Sequence, residues 1–289
     1  MNTTLLSSHE LATGDGNRLI TLGDGLSMFG QGTNGKGVLL IHGVTGSPVE
    51  MKYIAKRLHR AGFTVYVPLL AGHGVDVATL RATRWKDWYR TVREAADWLS
   101  ERVDTAYVAG VCVGGLMGLR LAHENPKIKA AAVYSPLLVY DGWNAPYHYR
   151  LGRFTVRVAV RLGFSRWISL KERAPFGIKS DRIRRLLAES EDGIRGTLPA
   201  FPVDTLHQNY KLFDVVKRVL PEIRTPTLLV HARQDDLSSP RNALYIKERI
   251  GGPCQIEWLE NSYHMVHVDQ EHVYVADRTR AFFDSAATA

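Results

Sequence analysis

The feature that most constrains the fold is a strand–turn–helix pattern near the middle of the chain. An apolar run at 106–111 leads into Gly110-Val111-Cys112-Val113-Gly114-Gly115, and an apolar helical pattern containing Leu116, Leu119 and Leu121 follows. A short apolar run that ends in Gly indicates a buried strand. A turn this sharp strains the backbone of its central residue, so the residues two positions away on either side, Gly110 and Gly114, must lack Cβ atoms. The pattern therefore predicts a nucleophile elbow with Cys112 at its apex.

Cys112 stands where most elbows carry Ser. Sulfur is a strong intrinsic nucleophile, and the N-terminus of the following helix favours a thiolate or an oxyanion. The alternative is a structural Cys at the end of a Gly-rich strand, because free Cys is often buried. Together with the partners identified next, the context favours Cys112 as a catalytic nucleophile.

Two later stretches supply a candidate acid and a candidate base. An apolar strand predicted at 226–232 is followed by Asp235 and Asp236, and a carboxylate just past a strand end is suited to orient a histidine. We prefer Asp235, three residues after Ala232, and expect Asp236 to turn away or cap the next helix. His264 follows the last predicted strand, which favours it as the base over the nearby His267 and His272. The order nucleophile, acid, base is the α/β-hydrolase arrangement.

A second loop is expected to complete the site. The predicted strand 38–41 ends at His42-Gly43, the position where such enzymes place one oxyanion-hole amide. The donors would be the backbone N–H groups of Val44 and Val113, and losing one such donor costs roughly 3–4 kcal/mol. We expect the His42 side chain to organise the loop, and we expect the same role for His73.

The alternation of strands and helices predicts an α/β-hydrolase fold, a mostly parallel central sheet flanked by helices, with an inserted helical cap. The core would comprise 1–135 and 223–289, and the cap 136–222, where prolines interrupt the rhythm. The first 36 residues are interpreted as a terminal arm with one or two edge strands. Cap aromatics form a candidate acyl-pocket lining, although packing within the cap explains them equally well: Trp143, Tyr147, Phe154 and Trp167.

Basic residues are concentrated in the cap. Between Arg150 and Arg185 there are eleven Lys or Arg against only Glu172 and Asp181, which accounts for the whole net charge of +8. Three interpretations stay open: a solvated surface, a docking patch for an acidic acyl-carrier protein or phosphate-bearing thioester, and contact with an anionic membrane. Nucleic acid is not favoured, since no recognised binding module accompanies the charge.

Composition limits the remaining classes. Two Cys cannot form a disulfide framework, which suits a reducing compartment. No secretory signal is evident in the first residues, and no apolar run approaches the ~18 residues of a membrane span. We therefore expect a cytoplasmic protein with no membrane span. The three C-terminal histidines lack the spacing of a zinc site, so no metal or cofactor is predicted.

Several of these motifs resemble one known family. The stretches 42–48, 72–74 and 232–236, together with the elbow and His264, are similar to the bacterial carboxylesterase and monoacylglycerol-lipase branch of the α/β-hydrolase superfamily. The resemblance covers 37–135 and 225–285 but not the cap. It departs at Cys112, since those esterases carry Ser there. Gly-x-Cys-x-Gly-Gly is more similar to dienelactone hydrolases and polyhydroxyalkanoate synthases.

The resemblance implies acyl transfer. The expected activity is hydrolysis of an ester or thioester of a small acyl substrate, through a Cys-His-Asp triad and a covalent acyl-enzyme. The alternative is an acyltransferase or cyclase of a biosynthetic pathway that passes the acyl group from Cys112 to an acceptor other than water. A descendant with a disabled site that only binds a ligand or partner is the third possibility.

Overall fold

A computed structural model describes residues 18–145, 152–171, 174–189 and 195–286. In this part of the chain, the centre is an eight-stranded sheet in the order β1-β2-β4-β3-β5-β6-β9-β10. The first two strands run antiparallel to their neighbours, and the other strand pairs are parallel. The strands are β1 Ile20–Thr21, β2 Met28–Gly30, β3 Lys36–Ile41, β4 Thr64–Val67, β5 Thr105–Val111, β6 Ile128–Tyr134, β7 Ser169–Lys171, β8 Ala200–Pro202, β9 Thr227–Ala232 and β10 Cys254–Leu259.

Helices cover both faces of this sheet. On β5, Tyr107 stacks on Phe283 of the C-terminal helix, whereas Val108 faces Gly118 of the helix that follows the elbow. Successive strand residues point to opposite faces, so these two helices lie on opposite sides of the sheet. The helices are α1 Lys52–Arg60, α2 Val77–Ala82, α3 Trp85–Ser100, α4 Cys112–Glu124, α5 Gly152–Arg161, α6 Asp181–Glu189, α7 Val203–Val219, α8 Arg241–Arg249 and α9 His272–Ala286.

The central strands are buried along nearly their whole length. β3, β5 and β9 have no exposed residue, as expected for parallel strands covered on both faces. The strands predicted at 38–41, 106–111 and 226–232 are confirmed by these elements. The edge strands predicted within the first 36 residues are β1 and β2, and residues 1–17 lie outside the described part of the chain. The α/β-hydrolase fold predicted from the sequence is confirmed.

One helix of the segment between β6 and β9 joins the cap to the core. α5, α6 and the antiparallel pair β7–β8 lie on the cap side, while α7 packs against α5 and also against α3 and α4 in the helical layer of the core. Leu212, Phe213 and Val216 of α7 are fully or nearly fully buried. The division of the chain into a core and a cap at 136–222 stays a prediction, since α7 packs on both parts.

Within the described residues, no helix is long and apolar enough to cross a membrane. The same residues contain no group of three or more His, Cys, Asp or Glu arranged to hold a metal ion.

Candidate active site

Cys112 lies at the apex of a tight turn between β5 and α4. Its φ of +54° is in the left-handed region, which costs a residue with a Cβ atom on the order of 1–3 kcal/mol. A Cβ atom on Gly114 would lie 2.3 Å from the carbonyl oxygen of His42, and one on Gly110 would lie 2.7 Å from the Gly114 carbonyl carbon. Both glycines are therefore required by close backbone approach, and the turn has the predicted elbow geometry.

Asp235 and His264 form a direct buried pair. The carboxylate of Asp235 can only accept, so His264 Nδ1 carries the proton and donates to Oδ2 at 2.9 Å and to Oδ1 at 3.1 Å. Asp235 Oδ1 also accepts the backbone N–H groups of Leu237 at 2.9 Å and Ser238 at 2.7 Å. These amide donors fix the carboxylate, and the carboxylate in turn fixes the imidazole ring.

Asp236 has a different set of partners. Its Oδ2 accepts the backbone N–H of Gly177 at 3.1 Å, and its Oδ1 accepts the backbone N–H of His264 at 3.3 Å. The structure thus brings Asp235 to the imidazole of His264, whereas Asp236 ties the main chain of His264 to the cap.

The electrostatics of the pair follow from burial and mutual attraction. Burial is the largest single influence on the pKa of His264 and lowers it, but Asp235 and Cys112 together outweigh burial and raise that pKa well above 6.5. Burial alone would raise the pKa of Asp235, but its attraction to His264 lowers that pKa overall. For Asp236, burial dominates and the pKa is raised. An imidazolium–carboxylate pair is therefore favoured at 264 and 235.

The second ring nitrogen of His264, Nε2, is the one left for the elbow. It is buried and makes no hydrogen bond of ordinary geometry with the described residues, yet Cys112 is near enough to contribute to the raised pKa of His264. A base whose Nδ1 is fixed by a carboxylate and whose Nε2 is left for a nucleophile has the connectivity of a catalytic triad.

The loop after β3 lies beside the elbow. A Cβ atom on Gly43 would be 3.9 Å from the Cβ of Cys112, and the Gly43 amide donates to Glu50 Oε1 at 2.6 Å. His42 Nδ1 donates to the Gly43 carbonyl at 2.8 Å, while its Nε2 accepts the Leu70 amide at 3.1 Å. Burial holds the pKa of His42 well below 6.5, so its ring is neutral and organises the loop, as predicted. The assignment of the Val44 and Val113 amides as oxyanion donors stays a prediction.

Two cap segments close over this constellation. On one side, the Gly177 carbonyl accepts the Met265 amide at 2.7 Å, next to His264. On the other, the Leu198 amide donates to the Thr45 carbonyl at 2.9 Å, and Ser47 Oγ donates to the Arg195 carbonyl at 2.8 Å. As a result, Cys112 is only 6% exposed and His264 only 4% exposed. The site is enclosed in this structure.

Three of the four predicted pocket-lining aromatics lie in the described part of the chain, and all three are exposed. Phe154 and Trp167 are 74% and 77% exposed and lie on the outer surface of the cap. Trp143 donates its indole N–H to the Gln234 carbonyl at 2.9 Å and packs edge-on against Tyr263, so it lies beside the loops that carry Asp235 and His264. Tyr147 lies outside the described residues.

Three supporting residues were not identified from the sequence. Ser238 Oγ lies 3.2 Å from Asp235 Oδ2 and 3.4 Å from His264 Nδ1. Asp269 accepts backbone amides from both sides of the site, Tyr263 at 3.0 Å and Lys179 at 2.6 Å, and Glu50 holds Gly43. An Asp after a strand end often bonds the backbone two residues on in an Asx turn, which Asp235 does with Leu237, but this pattern does not single out the Ser238 hydroxyl.

The raised pKa of His264 predicts a pH-dependent contribution to stability. Above pH 6.5 the folded state keeps a proton on His264 that the unfolded chain loses, so the free energy of unfolding should fall as pH rises towards the folded-state pKa, by up to about 1.4 kcal/mol per pH unit. Urea unfolding from pH 5 to pH 9, with His264→Gln as the control that lacks this proton, measures the difference. A difference that stays constant with pH would contradict the ion-pair assignment.

Residues 33–271 match the model of the hydrolase family described as serine aminopeptidase, S33. The chain belongs to this family. It is 29% identical over 253 residues to a thermostable monoacylglycerol lipase of Bacillus sp. (strain H-257), spanning 86% of this chain and 90% of the relative. It is 26% identical over 251 residues to a carboxylesterase of Bacillus subtilis (strain 168), spanning 86% of this chain and 92% of the relative.

A solved structure agrees with these sequence relatives. A structure from work on the metagenome-derived lipolytic enzymes LipS and LipT superimposes with a TM-score of 0.76 at 26% identity, covering 92% of this chain and all of the other. The elbow, the acid loop and the histidine loop described above all fall inside the matched range of the family. The chain is an enzyme of the α/β-hydrolase type.

Proposed function

We propose that this protein hydrolyses carboxylic ester bonds of acyl substrates and that Cys112 is its nucleophile, Asp235 its acid and His264 its base. The observation that carries the proposal is the buried pairing of His264 with Asp235 next to a strained cysteine at a strand–helix turn. A strained nucleophile, a histidine and an orienting carboxylate are the three groups that covalent acyl transfer needs. The relatives named a monoacylglycerol lipase and a carboxylesterase support ester substrates for this chain.

The proposed reaction has two halves. The Cys112 thiolate attacks the ester carbonyl, and the backbone amides of Val44 and Val113 stabilise the oxyanion. The tetrahedral species collapses to a thioester on Cys112, while His264 Nε2 gives its proton to the departing alkoxide. Water then attacks the thioester as His264 takes up a proton, and collapse releases the carboxylic acid and restores the Cys112 thiolate. Asp235 stabilises the imidazolium throughout.

Water is the acceptor in this proposal, although the thiol leaves the acceptor open in principle. A thioester intermediate is attacked readily by amines and thiols, so transfer to another acceptor is chemically accessible. The sequence relatives named above carry the names of hydrolases, and we therefore assign hydrolysis. The cap segments around Gly177 and Leu198 are hydrogen-bonded to the loops that carry His264 and Thr45, so they lie beside the site that the acyl donor must enter.

The substrate class is tested with chromogenic substrates. We expect turnover of p-nitrophenyl esters, with a preference among graded acyl chain lengths, and no turnover of amino-acid p-nitroanilides above background. The physical reason is that the carbonyl of an amide is less electrophilic than that of an activated ester. The amine must also be protonated before it can leave. Efficient cleavage of anilides with slow ester turnover would replace the ester assignment with a peptidase activity, in line with the name serine aminopeptidase of the family.

The acceptor is tested in the same assay. Adding an alcohol or an amine should leave the free carboxylic acid as the main product, identified by mass spectrometry. If product forms only when the added acceptor is present, the protein is an acyltransferase, and hydrolysis is rejected while Cys112 chemistry is retained.

A further inference from the structure

The outer surface of the cap combines exposed apolar side chains with an excess of positive charge, although Arg153 is paired with Asp214 of α7. Residues 152–171 contain five Arg or Lys and no Asp or Glu. In the same stretch, six large apolar side chains are exposed by 39% or more of their surface: Phe154, Val158, Leu162, Phe164, Trp167 and Ile168. Large apolar side chains grouped at a protein surface mark an interaction site.

The two kinds of residue are arranged in a defined pattern on α5. Gly152 and Val156 face α7 and are buried. At 100° per residue, Phe154 and Arg161 point directly away from that buried side. Arg157 lies on one flank of this outer line, and Val158 and Leu162 lie on the other. The outward face is therefore apolar along one side and cationic along the other.

The segment that follows α5 continues the pattern. Ser165 Oγ donates to Asp204 Oδ1 at 2.7 Å, and this anchor fixes the turn from which Phe164 and Trp167 project. The guanidinium of Arg166 lies 5.0 Å from the centre of the Trp167 ring. Rings and guanidinium groups thus project side by side from an anchored turn.

We propose that this cap surface, residues 152–171, binds the surface of an anionic lipid bilayer. Rings such as Trp167 and Phe154 suit the boundary between headgroups and acyl chains, while Arg157, Arg161 and Arg166 pair with lipid phosphates. Such a bilayer complements the charge of a segment without carboxylates and needs no shaped groove, so a convex surface with projecting side chains fits it. The proposal stands apart from the proposed ester hydrolysis.

The surface is connected to the candidate active site through packed helices. α5 packs on α7, and α7 packs on α4, the helix that begins at Cys112. Docking at α5 would therefore hold the cap side of the enzyme against the bilayer. The cap segments around Gly177 and Leu198 belong to the same side of the enzyme, so the entrance to the candidate site would lie near the bilayer.

Binding is tested by cosedimentation with large unilamellar vesicles. One set contains phosphatidylcholine alone, and the other contains phosphatidylcholine mixed equally with phosphatidylglycerol. We expect binding to the anionic vesicles only, weakened at high ionic strength because surface charges are screened. Arg157→Glu combined with Arg161→Glu should weaken binding by more than about tenfold, since each basic residue near an anionic surface contributes appreciably.

The apolar contribution needs its own variant and matched controls. Phe154→Ser combined with Trp167→Ser should also lose binding. Lys86→Glu combined with Lys127→Glu makes the same change in net charge elsewhere, and Leu244→Ser combined with Val273→Ser removes exposed apolar groups from core helices. Both control variants should bind like the unmodified protein, and circular dichroism checks that all variants are folded.

Four results would overturn the proposal. Absence of binding to the anionic vesicles, or binding unaffected by the arginine reversal, removes the cap surface as the site. Binding lost in the arginine variant but retained without Phe154 and Trp167 shows charge adsorption and no insertion. Binding of an acidic carrier protein, sensitive to the arginine reversal and without vesicle binding, would make the surface a protein-docking site.

Discussion

Cys112→Ala should abolish ester turnover and acyl-adduct formation while leaving the protein folded. The expected loss in kcat is at least about 10³-fold, because removing the nucleophile of a comparable triad costs up to about 10⁶-fold. The substitution removes one sulfur atom from a site that is already closed, and Ala keeps the Cβ that the turn accommodates at a φ of +54°. Initial rates on a p-nitrophenyl ester and intact-mass spectrometry after a short incubation measure both effects.

The second cysteine provides a matched control. Cys254 is equally buried but lies on β10, and burial raises its pKa to about 11. Its thiol is therefore held protonated and unreactive. Cys254→Ala should keep full turnover and a full acyl adduct. An adduct that persists in Cys112→Ala and disappears in Cys254→Ala would reject the elbow cysteine as the nucleophile.

A Cys112→Ser variant tests whether the other groups of the candidate site can act on an oxygen nucleophile. If the loop at Gly43 and the His264–Asp235 pair act as in a serine esterase, the variant should retain measurable ester turnover. Its adduct would be an oxygen ester, which resists neutral hydroxylamine, whereas the thioester of the unmodified protein is released. An adduct of the unmodified protein that resists hydroxylamine would contradict a thioester intermediate.

The elbow and the order of the candidate residues could be predicted because short-range sequence constrains them. Gly110 and Gly114 mark positions where the backbone is approached more closely than a Cβ atom allows. The continuous apolar run of β5 indicates a strand that is buried on both faces. His264 could be chosen over His267 from its position after the last strand alone. In the structure His264 reaches Asp235, whereas neither ring nitrogen of His267 has a partner among the described residues.

Features that depend on long-range packing were not accessible in the same way. An apolar helix face carries no local sign of whether it packs on a cap, on the core or on both, and α7 packs on α5 as well as on α4. The exposure of Phe154 and Trp167 was not evident from the sequence either, since large aromatic side chains are ordinarily buried in large part. The closure of the site by Gly177 and Leu198 depends on main-chain hydrogen bonds that carry no side-chain signature.

The sequence alone does not decide between the two adjacent aspartates. Either residue satisfies the rule that the acid follows a strand, and only their hydrogen-bond partners in the structure distinguish them. Asp235 contacts the imidazole and Asp236 contacts main-chain amides.

Asp235→Asn should reduce kcat by at least about 10²-fold and by up to about 10⁴-fold, the loss seen when the acid of a comparable triad becomes an amide. The new NH₂ group can take two orientations. In one it faces His264 Nδ1 as a donor where an acceptor is needed, and in the other it replaces Oδ1, the oxygen that accepts the amides of Leu237 and Ser238. The imidazolium also loses the carboxylate that stabilises it. Steady-state rates, normalised to the folded fraction from urea unfolding, separate lost chemistry from lost stability.

Asp236→Asn is the matched control, since it makes the same chemical change one residue away. Its amide oxygen can still accept one of the two backbone N–H groups from Gly177 and His264, so the expected effect is a loss of stability and of cap docking with a much smaller loss in kcat. The pH dependence of kcat should separate the variants further. Asp235 contacts the imidazole of His264 and raises its pKa, and His264 in turn lowers the pKa of Asp235, so only the Asp235→Asn variant should shift the titration of His264. Equal losses of kcat in two folded variants would mean that the acid role is shared, and the assignment of Asp235 would then be wrong.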